Sequence, residues 1–154
     1  MDIYTVSLFG HRKIADFRDL ENKMIPIIKN LLEKRQYVSF LIGRNGEFDE
    51  HIASIIKIIQ KEYRNDNSDI SLVLPYTVSA VKYYERYYDS IIIAENTYGA
   101  HPKSAITLKN RWMVEKSDLV LCYVSKDEGG AYTAMKYAER LGKSIINVYT
   151  KFYE

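Results

Sequence analysis

Five short apolar runs, Ile3–Phe9, Val38–Ile42, Ser71–Pro75, Leu119–Val124 and Ser144–Val148, recur along the 154 residues with amphipathic stretches between them. Strands covered on both faces read as continuous apolar runs, and parallel neighbours need a crossover, most often a helix, to connect them. The alternation therefore predicts an α/β fold with a mostly parallel sheet and helices on both faces. Phe17, Leu20, Met24, Ile27, Ile28, Leu31 and Leu32 recur at helical spacing, with Pro26 inside the pattern as a candidate kink. Ile52, Ile55, Ile56, Ile59 and Tyr63 mark a second helix that Asp49 is placed to cap, and Ile106, Leu108, Trp112 and Met113 mark another. Ala131, Ala134, Met135, Ala138 and Leu141 form the last helical face, and Gly142 is a fitting left-handed terminator. Residues 76–102 are less regular and Tyr-rich, and are expected to form an elaborated crossover hanging over the strand ends. The chain length suits one domain spanning 1–154.

Ligands of parallel α/β sheets bind outside the carboxyl ends of the strands, near the switch in strand order. Three loops are expected there. Gly10, His11 and Arg12 follow the first strand; Gly43, Arg44 and Gly46 follow the second, with Asp49 near the next helix start; Gly129, Gly130, Ala131 and Thr133 follow the strand that ends at Val124. Backbone approaches an anion closely where Cβ is missing, and free N–H groups at a helix start attract negative charge. Arg44 is a candidate for bidentate phosphate or carboxylate binding, and Asp49 for accepting from ribose hydroxyls or for simple capping. A glycine turn and an N-cap are the alternative for the Gly43–Gly46 loop, and tight helix-on-sheet packing the alternative for Gly129-Gly130-Ala131. Arg111 is placed to reach the same crevice.

Other function classes are excluded or weakened. A net charge of +2 gives no polyanion-binding surface, so nucleic acid is not the expected partner. His11, His51 and His101 have no metal-ligand spacing, and neither a metal nor a cofactor is called for. The lone Cys122 cannot form an intrachain disulfide, no apolar h-region opens the chain, and no apolar stretch approaches the ~20 residues a bilayer span requires. A cytoplasmic location without membrane contact is expected. The run Tyr83-Tyr84-Glu85-Arg86-Tyr87-Tyr88 cannot all face one core, so part of it is expected to be a lid or a subunit contact.

Phe9-Gly10-His11-Arg12, the Gly43-x-x-Gly46-x-Phe48-Asp49 loop, His101-Pro102-Lys103, the run Arg111-Trp112-Met113-Val114-Glu115 with Ser117-Asp118, and Gly129-Gly130-Ala131 occur in that order. Together they resemble an uncharacterised branch of the SLOG superfamily, which includes lonely-guy phosphoribohydrolases, DNA-processing protein A and molybdenum-cofactor carrier proteins. The resemblance implies a single modified Rossmann-like domain that binds nucleotides or their derivatives, often as a homodimer. It also bears on catalysis. The lonely-guy enzymes carry Pro-Gly-Gly-x-Gly-Thr-x-x-Glu with an upstream arginine. Here Gly129, Gly130 and Thr133 match and Arg111 is the candidate arginine, but Glu128 replaces the proline, Tyr132 the third glycine and Lys136 the catalytic glutamate.

An oxocarbenium-like transition state needs a carboxylate, which Lys136 cannot supply. The resemblance thus favours binding or sensing of a nucleotide-derived small molecule. The alternative is a nucleoside or nucleotide N-glycosidase in which Glu47, Asp49, Glu95 or Glu128 substitutes for the missing glutamate.

Overall fold

A computed structural model describes residues 1–77 and 81–149. Its twelve elements are β1 (Ile3–Gly10), α1 (Phe17–Lys34), β2 (Tyr37–Ile42), α2 (Glu47–Glu62), β3 (Ser68–Leu74), α3 (Val81–Tyr87), β4 (Ser90–Ile93), the 3₁₀ turn η1 (Glu95–Thr97), α4 (Pro102–Lys116), β5 (Leu119–Tyr123), α5 (Gly130–Arg140) and β6 (Ser144–Asn147). All six strands pair in parallel, in the order β4-β3-β2-β1-β5-β6. The chain steps outward from β1 to β4, then returns through α4 to place β5 on the other side of β1. Order therefore reverses between β1 and β5.

Side-chain alternation sorts the strands into two faces. Val6, Leu8, Val38, Phe40, Ile42, Ile70, Leu72, Leu119 and Leu121 pack with α1 and α2 through Leu20, Met24, Ile28, Leu32, Phe48, Ile52 and Ile56. The opposite face carries Phe9, Leu41, Val73, Val120 and Cys122 against Met113 and Val114 of α4 and the alanines of α5. Small residues on α5 bring that helix close to the sheet. Ser7 ties α4 down as well, its hydroxyl donating to the Met113 carbonyl at 3.0 Å from inside the sheet. Cys122 is a free, buried thiol. No helix among the described residues is long and apolar enough to cross a membrane.

Several expectations change. Ile91–Ile93 belongs to β4, an edge strand, so the crossover is shorter than residues 76–102 suggested; positions 78–80 of that stretch lie outside the described residues. β3 begins at Ser68 rather than Ser71, because Asp69 pairs with Ser39 across the ladder and accepts its hydroxyl proton. Pro26 lies inside α1, on its solvent side, as its place in the helical pattern implied. The tyrosine run divides: Tyr88 is 5% exposed and Tyr83 69% exposed. Tyr84 and Tyr87 lean on the core beneath them. Trp112, expected in the core, is only half-buried.

Candidate functional site

The loops that leave β1, β2 and β5 converge on a cavity of about 500 Å³. It opens where strand order reverses, the position that ligands of open α/β sheets occupy. Its wall brings together Gly10, His11 and Arg12 of the first loop, Gly43, Asn45 and Asp49 of the second, Glu128, Gly129, Gly130 and Ala131 of the third, and Lys103, Lys109 and Asn110 of α4. Five basic side chains, Arg12, Lys13, Lys103, Lys109 and Lys126, face two acidic ones, Asp49 and Glu128. The balance favours an anionic ligand.

The loop after β5 is built before any ligand arrives. Asn147 of β6 extends the ladder past β5, accepting the Val124 N–H and donating to the Val124 carbonyl, both at 3.0 Å. His11 then accepts the N–H groups of Ser125 and Lys126 on Nε2, at 3.0 and 3.2 Å. An imidazole nitrogen that accepts carries no proton, so the proton resides on Nδ1, which faces the position of Gly129. Burial and the neighbouring Lys126 hold the imidazole below its ordinary pKa, which keeps this tautomer neutral. Gly129 adopts φ +95° at the N-cap of α5, and no side chain caps that helix. Thr133 N–H returns to the Gly129 carbonyl, whereas the N–H groups of Gly130 and Ala131 find no acceptor among the described residues. A methyl group on Gly129 or Gly130 would meet nothing nearer than 3.9 or 3.7 Å. The space beside these amides is open.

The glycines of the first two loops are different, because protein atoms fill the places their Cβ atoms would take. A methyl on Gly10 would overlap the ring of Phe48, and one on Gly46 would stand 2.5 Å from Cα of Arg12. These loops are stitched together. Glu47 N–H donates to the Arg12 carbonyl at 2.9 Å, and the Glu47 carboxylate accepts the Ile14 N–H at 2.9 Å. At Gly43 the occupant is the ammonium of Lys109, 2.5 Å from where Cβ would be, with Asp49 Oδ2 at 3.3 Å.

Asp49 is therefore not the cap of α2. Gly46 holds that position without a side-chain hydrogen bond, and Asp49, in the first turn, accepts the Asn45 N–H at 2.8 Å. Burial pushes its carboxyl above the ordinary carboxylate range, against the opposing pull of Lys109 and the Asn45 N–H. Lys109 is 1% exposed. Burial pushes its pKa down to about 8, with Asp49 acting in the opposite sense.

Other candidates lie elsewhere. Arg44 points away from the cavity, stacks on Tyr84 at 4.7 Å and meets Glu50 at 3.8 Å. Arg111 and Thr133 line an adjoining cavity of about 210 Å³, where Arg111 sits over the Tyr137 ring at 5.2 Å. Glu47 is occupied as a loop clamp, and Glu95 is an exposed residue of η1 outside the cavity wall. Lys136 is paired with Glu139 at 2.8 Å and lines neither cavity. His101 caps α4, its Nδ1 accepting the Lys103 N–H. His51 meets Glu21 at 2.7 Å on the outer surface of α2. No group of three or more potential metal ligands gathers among the described residues.

Lys13, Asn45, Lys103, Lys109, Asn110 and Lys126 line the cavity without having been site candidates in the sequence, and Lys109 and Asn110 are the buried ones among them. The available signal was the weak amphipathicity of α4, where a lysine and an asparagine occupy the buried face beside Ala105, Met113 and Val114.

No family model and no curated protein matches the chain. Among solved structures, DNA processing protein A from Streptococcus pneumoniae is similar, with a TM-score of 0.68 at 14% identity. The match covers 93% of this chain and 49% of that one, so the chain spans about half the length of its structural neighbour. Likeness at this identity is a statement about fold. The chain has the Rossmann-like α/β architecture found in DNA processing protein A.

Proposed function

We propose that this protein binds a nucleotide or nucleotide-derived small molecule, with the ligand's phosphate held at the start of α5. The observation that carries the reading is the open end of that helix, where the Gly130 and Ala131 N–H groups lack acceptors among the described residues, beside a cavity wall rich in cations. A helix start carries about half a positive charge, and a preset loop binds an anion without losing further conformational entropy. Arg12 and Lys126 add charge at the rim. The name of DNA processing protein A would suggest nucleic acid, but a net charge of +2 offers little counterion release.

Calorimetric titration with inorganic phosphate, AMP and ADP tests this. Saturable 1:1 binding, weakened by salt and by Arg12→Ala, is expected; no heat from any of the three contradicts it.

A phosphoribohydrolase-like reaction is the second reading, favoured by one observation. Asp49 presents a buried carboxyl to the cavity, and burial raises its pKa above the ordinary carboxylate range, the direction a general acid needs. Of the four carboxylates considered from sequence, only Asp49 and Glu128 line the cavity. Release of free base from nucleoside monophosphates, lost in Asp49→Asn or Glu128→Gln, is the outcome this reading requires. A panel without turnover removes it.

A further inference from the structure

Between α4 and α5 lies a second cavity of about 210 Å³, which shares Asn110 and Gly130 with the first. Arg111 of α4 and Arg140 of α5 line it, and among the described residues no acidic side chain does. Both guanidinium groups stack on the Tyr137 ring, at 5.2 and 5.4 Å from its centroid. An aromatic face holds a cation in place without neutralising it. Neither arginine has a carboxylate partner: the arginines ion-paired among the described residues are Arg44 and Arg64. Glu115 lies outside the cavity wall and accepts the Tyr137 hydroxyl proton, which fixes the ring that carries both cations.

Two buried polar atoms of this wall are also unmatched. Arg111 Nε has no acceptor, and Oδ1 of Asn110, a residue 7% exposed, has no donor among the described residues. Folded chains pair nearly all their buried polar groups, so two orphans at one cavity mark places for the complementary atoms of a ligand. Thr133 is different, because its hydroxyl already donates to the Gly129 carbonyl at 3.0 Å.

We propose that the second cavity binds the carboxylate of an N-acylated amino acid, free or as the last residue of a peptide. A planar carboxylate matches the guanidinium fork and gives Arg111 Nε–H its acceptor. The amide N–H on the adjoining carbon then donates to Asn110 Oδ1. A free amino acid would bring an ammonium beside two guanidinium groups, where like charge repels it. A phosphate monoester would satisfy the arginines and leave Asn110 without a donor. Ile106 and Ala134 line the rest of the cavity and suit an apolar side chain. Arg111 and Arg140 are absent from the wall that holds Arg12, Asp49 and Glu128, so this site stands or falls independently of the phosphate reading.

The test is calorimetric titration of the full chain with N-acetylleucine, acetyl-glycyl-glycyl-leucine, N-acetylleucinamide and 4-methylpentanoate. N-acetylleucine is expected to bind saturably, and at least about tenfold more tightly than the leucinamide, which lacks the carboxylate, or 4-methylpentanoate, which lacks the amide N–H. Tighter binding of the tripeptide assigns the site to a peptide terminus, and equal binding to a free acyl amino acid; both support the shared chemistry. Arg111→Gln, Arg111→Lys and Arg140→Gln are each expected to weaken N-acetylleucine at least about tenfold while inorganic phosphate binds as in wild type. Arg140 is exposed, so its variant keeps the fold and the test stays decisive. In ¹⁵N spectra, N-acetylleucine is expected to shift the Asn110 side-chain amide, Arg111 Nε–H and the backbone amides of residues 133–137. No binding by N-acetylleucine or the tripeptide, equal binding of the leucinamide or 4-methylpentanoate, or shifts centred instead on Gly129, Gly130 and Ala131 overturns the proposal.

Discussion

The loop after β2 and the loop after β5 carry the same sequence signal and use it for opposite ends. In the first, Gly43 and Gly46 make room for other parts of the protein: the Lys109 ammonium and the Arg12 backbone. In the second, a methyl on Gly129 or Gly130 would meet no protein atom nearer than 3.9 or 3.7 Å. Glycine in a strand-to-helix loop marks a space without a side chain, and only the three-dimensional surroundings decide whether protein or ligand fills it. One loop is filled by protein, and the other leaves open space beside amides that have no acceptor among the described residues.

Substitution by alanine separates these roles. Gly46→Ala is expected to be the most damaging, because its methyl would stand 2.5 Å from a backbone atom held by the Glu47 to Arg12 hydrogen bond. Overpacking of this kind costs about 3 kcal/mol or more where the neighbour cannot yield. Urea unfolding is the measurement, and a midpoint equal to wild type would break the comparison at its strongest point.

Gly129→Ala comes next, at about 1–3 kcal/mol, since φ +95° strains any side chain although the space itself is free. Its cost should appear in stability and in phosphate affinity together.

His11→Ala removes the acceptor for Ser125 and Lys126 N–H groups, a loss of about 1–3 kcal/mol, and should speed hydrogen exchange across residues 125–130. The same contact gives a pH dependence. Because burial lowers the folded-state pKa of His11 beneath its unfolded value of 6.5, its contribution is intact above pH 6.5 and is lost as pH falls through the folded pKa. Tracking phosphate affinity from pH 8 to pH 5 in wild type and His11→Ala checks this. An identical acid decline in both would assign it to some other group.

Gly130→Ala has a smaller and opposite effect on the fold. A methyl there makes ordinary contact with Asn110 at 3.7 Å, and alanine in the first turn of α5 is a better helix former by up to about 1 kcal/mol. Stability should hold or rise while phosphate binding falls. Gly43→Ala is expected to perturb the fold least of the first-loop variants, because the atom in its way is the movable end of Lys109.

Much of this architecture was legible in the residues. The five main strands, the long helices α1, α2 and α5, and the grouping of three loops at the strand ends followed from apolar periodicity and glycine punctuation. The edge strand β4 did not, because Ile91–Ile93 is too short a run to separate from a turn. Lys109 escaped for a different reason. A lysine in a helical stretch reads as a solvated position, and only its helical spacing from Ala105 and Met113 sets it on the buried face of α4. Arg44 failed in the reverse direction: it has the chemistry of a phosphate ligand, yet the tyrosines of α3 and Glu50 draw it out of the crevice. Loop sequence names the candidates, and long-range packing chooses among them.

The central claim is that the amides at the start of α5, and not those of the loop after β2, are the anion site. Titrating ¹⁵N-labelled protein with inorganic phosphate and following the backbone amide resonances tests it directly. The account predicts the largest, saturable shifts at Gly129, Gly130 and Ala131, with Asn45 and Glu47 held by Asp49 and Arg12 and little changed. Shifts centred on residues 43–47, or none at all at millimolar phosphate, would contradict it.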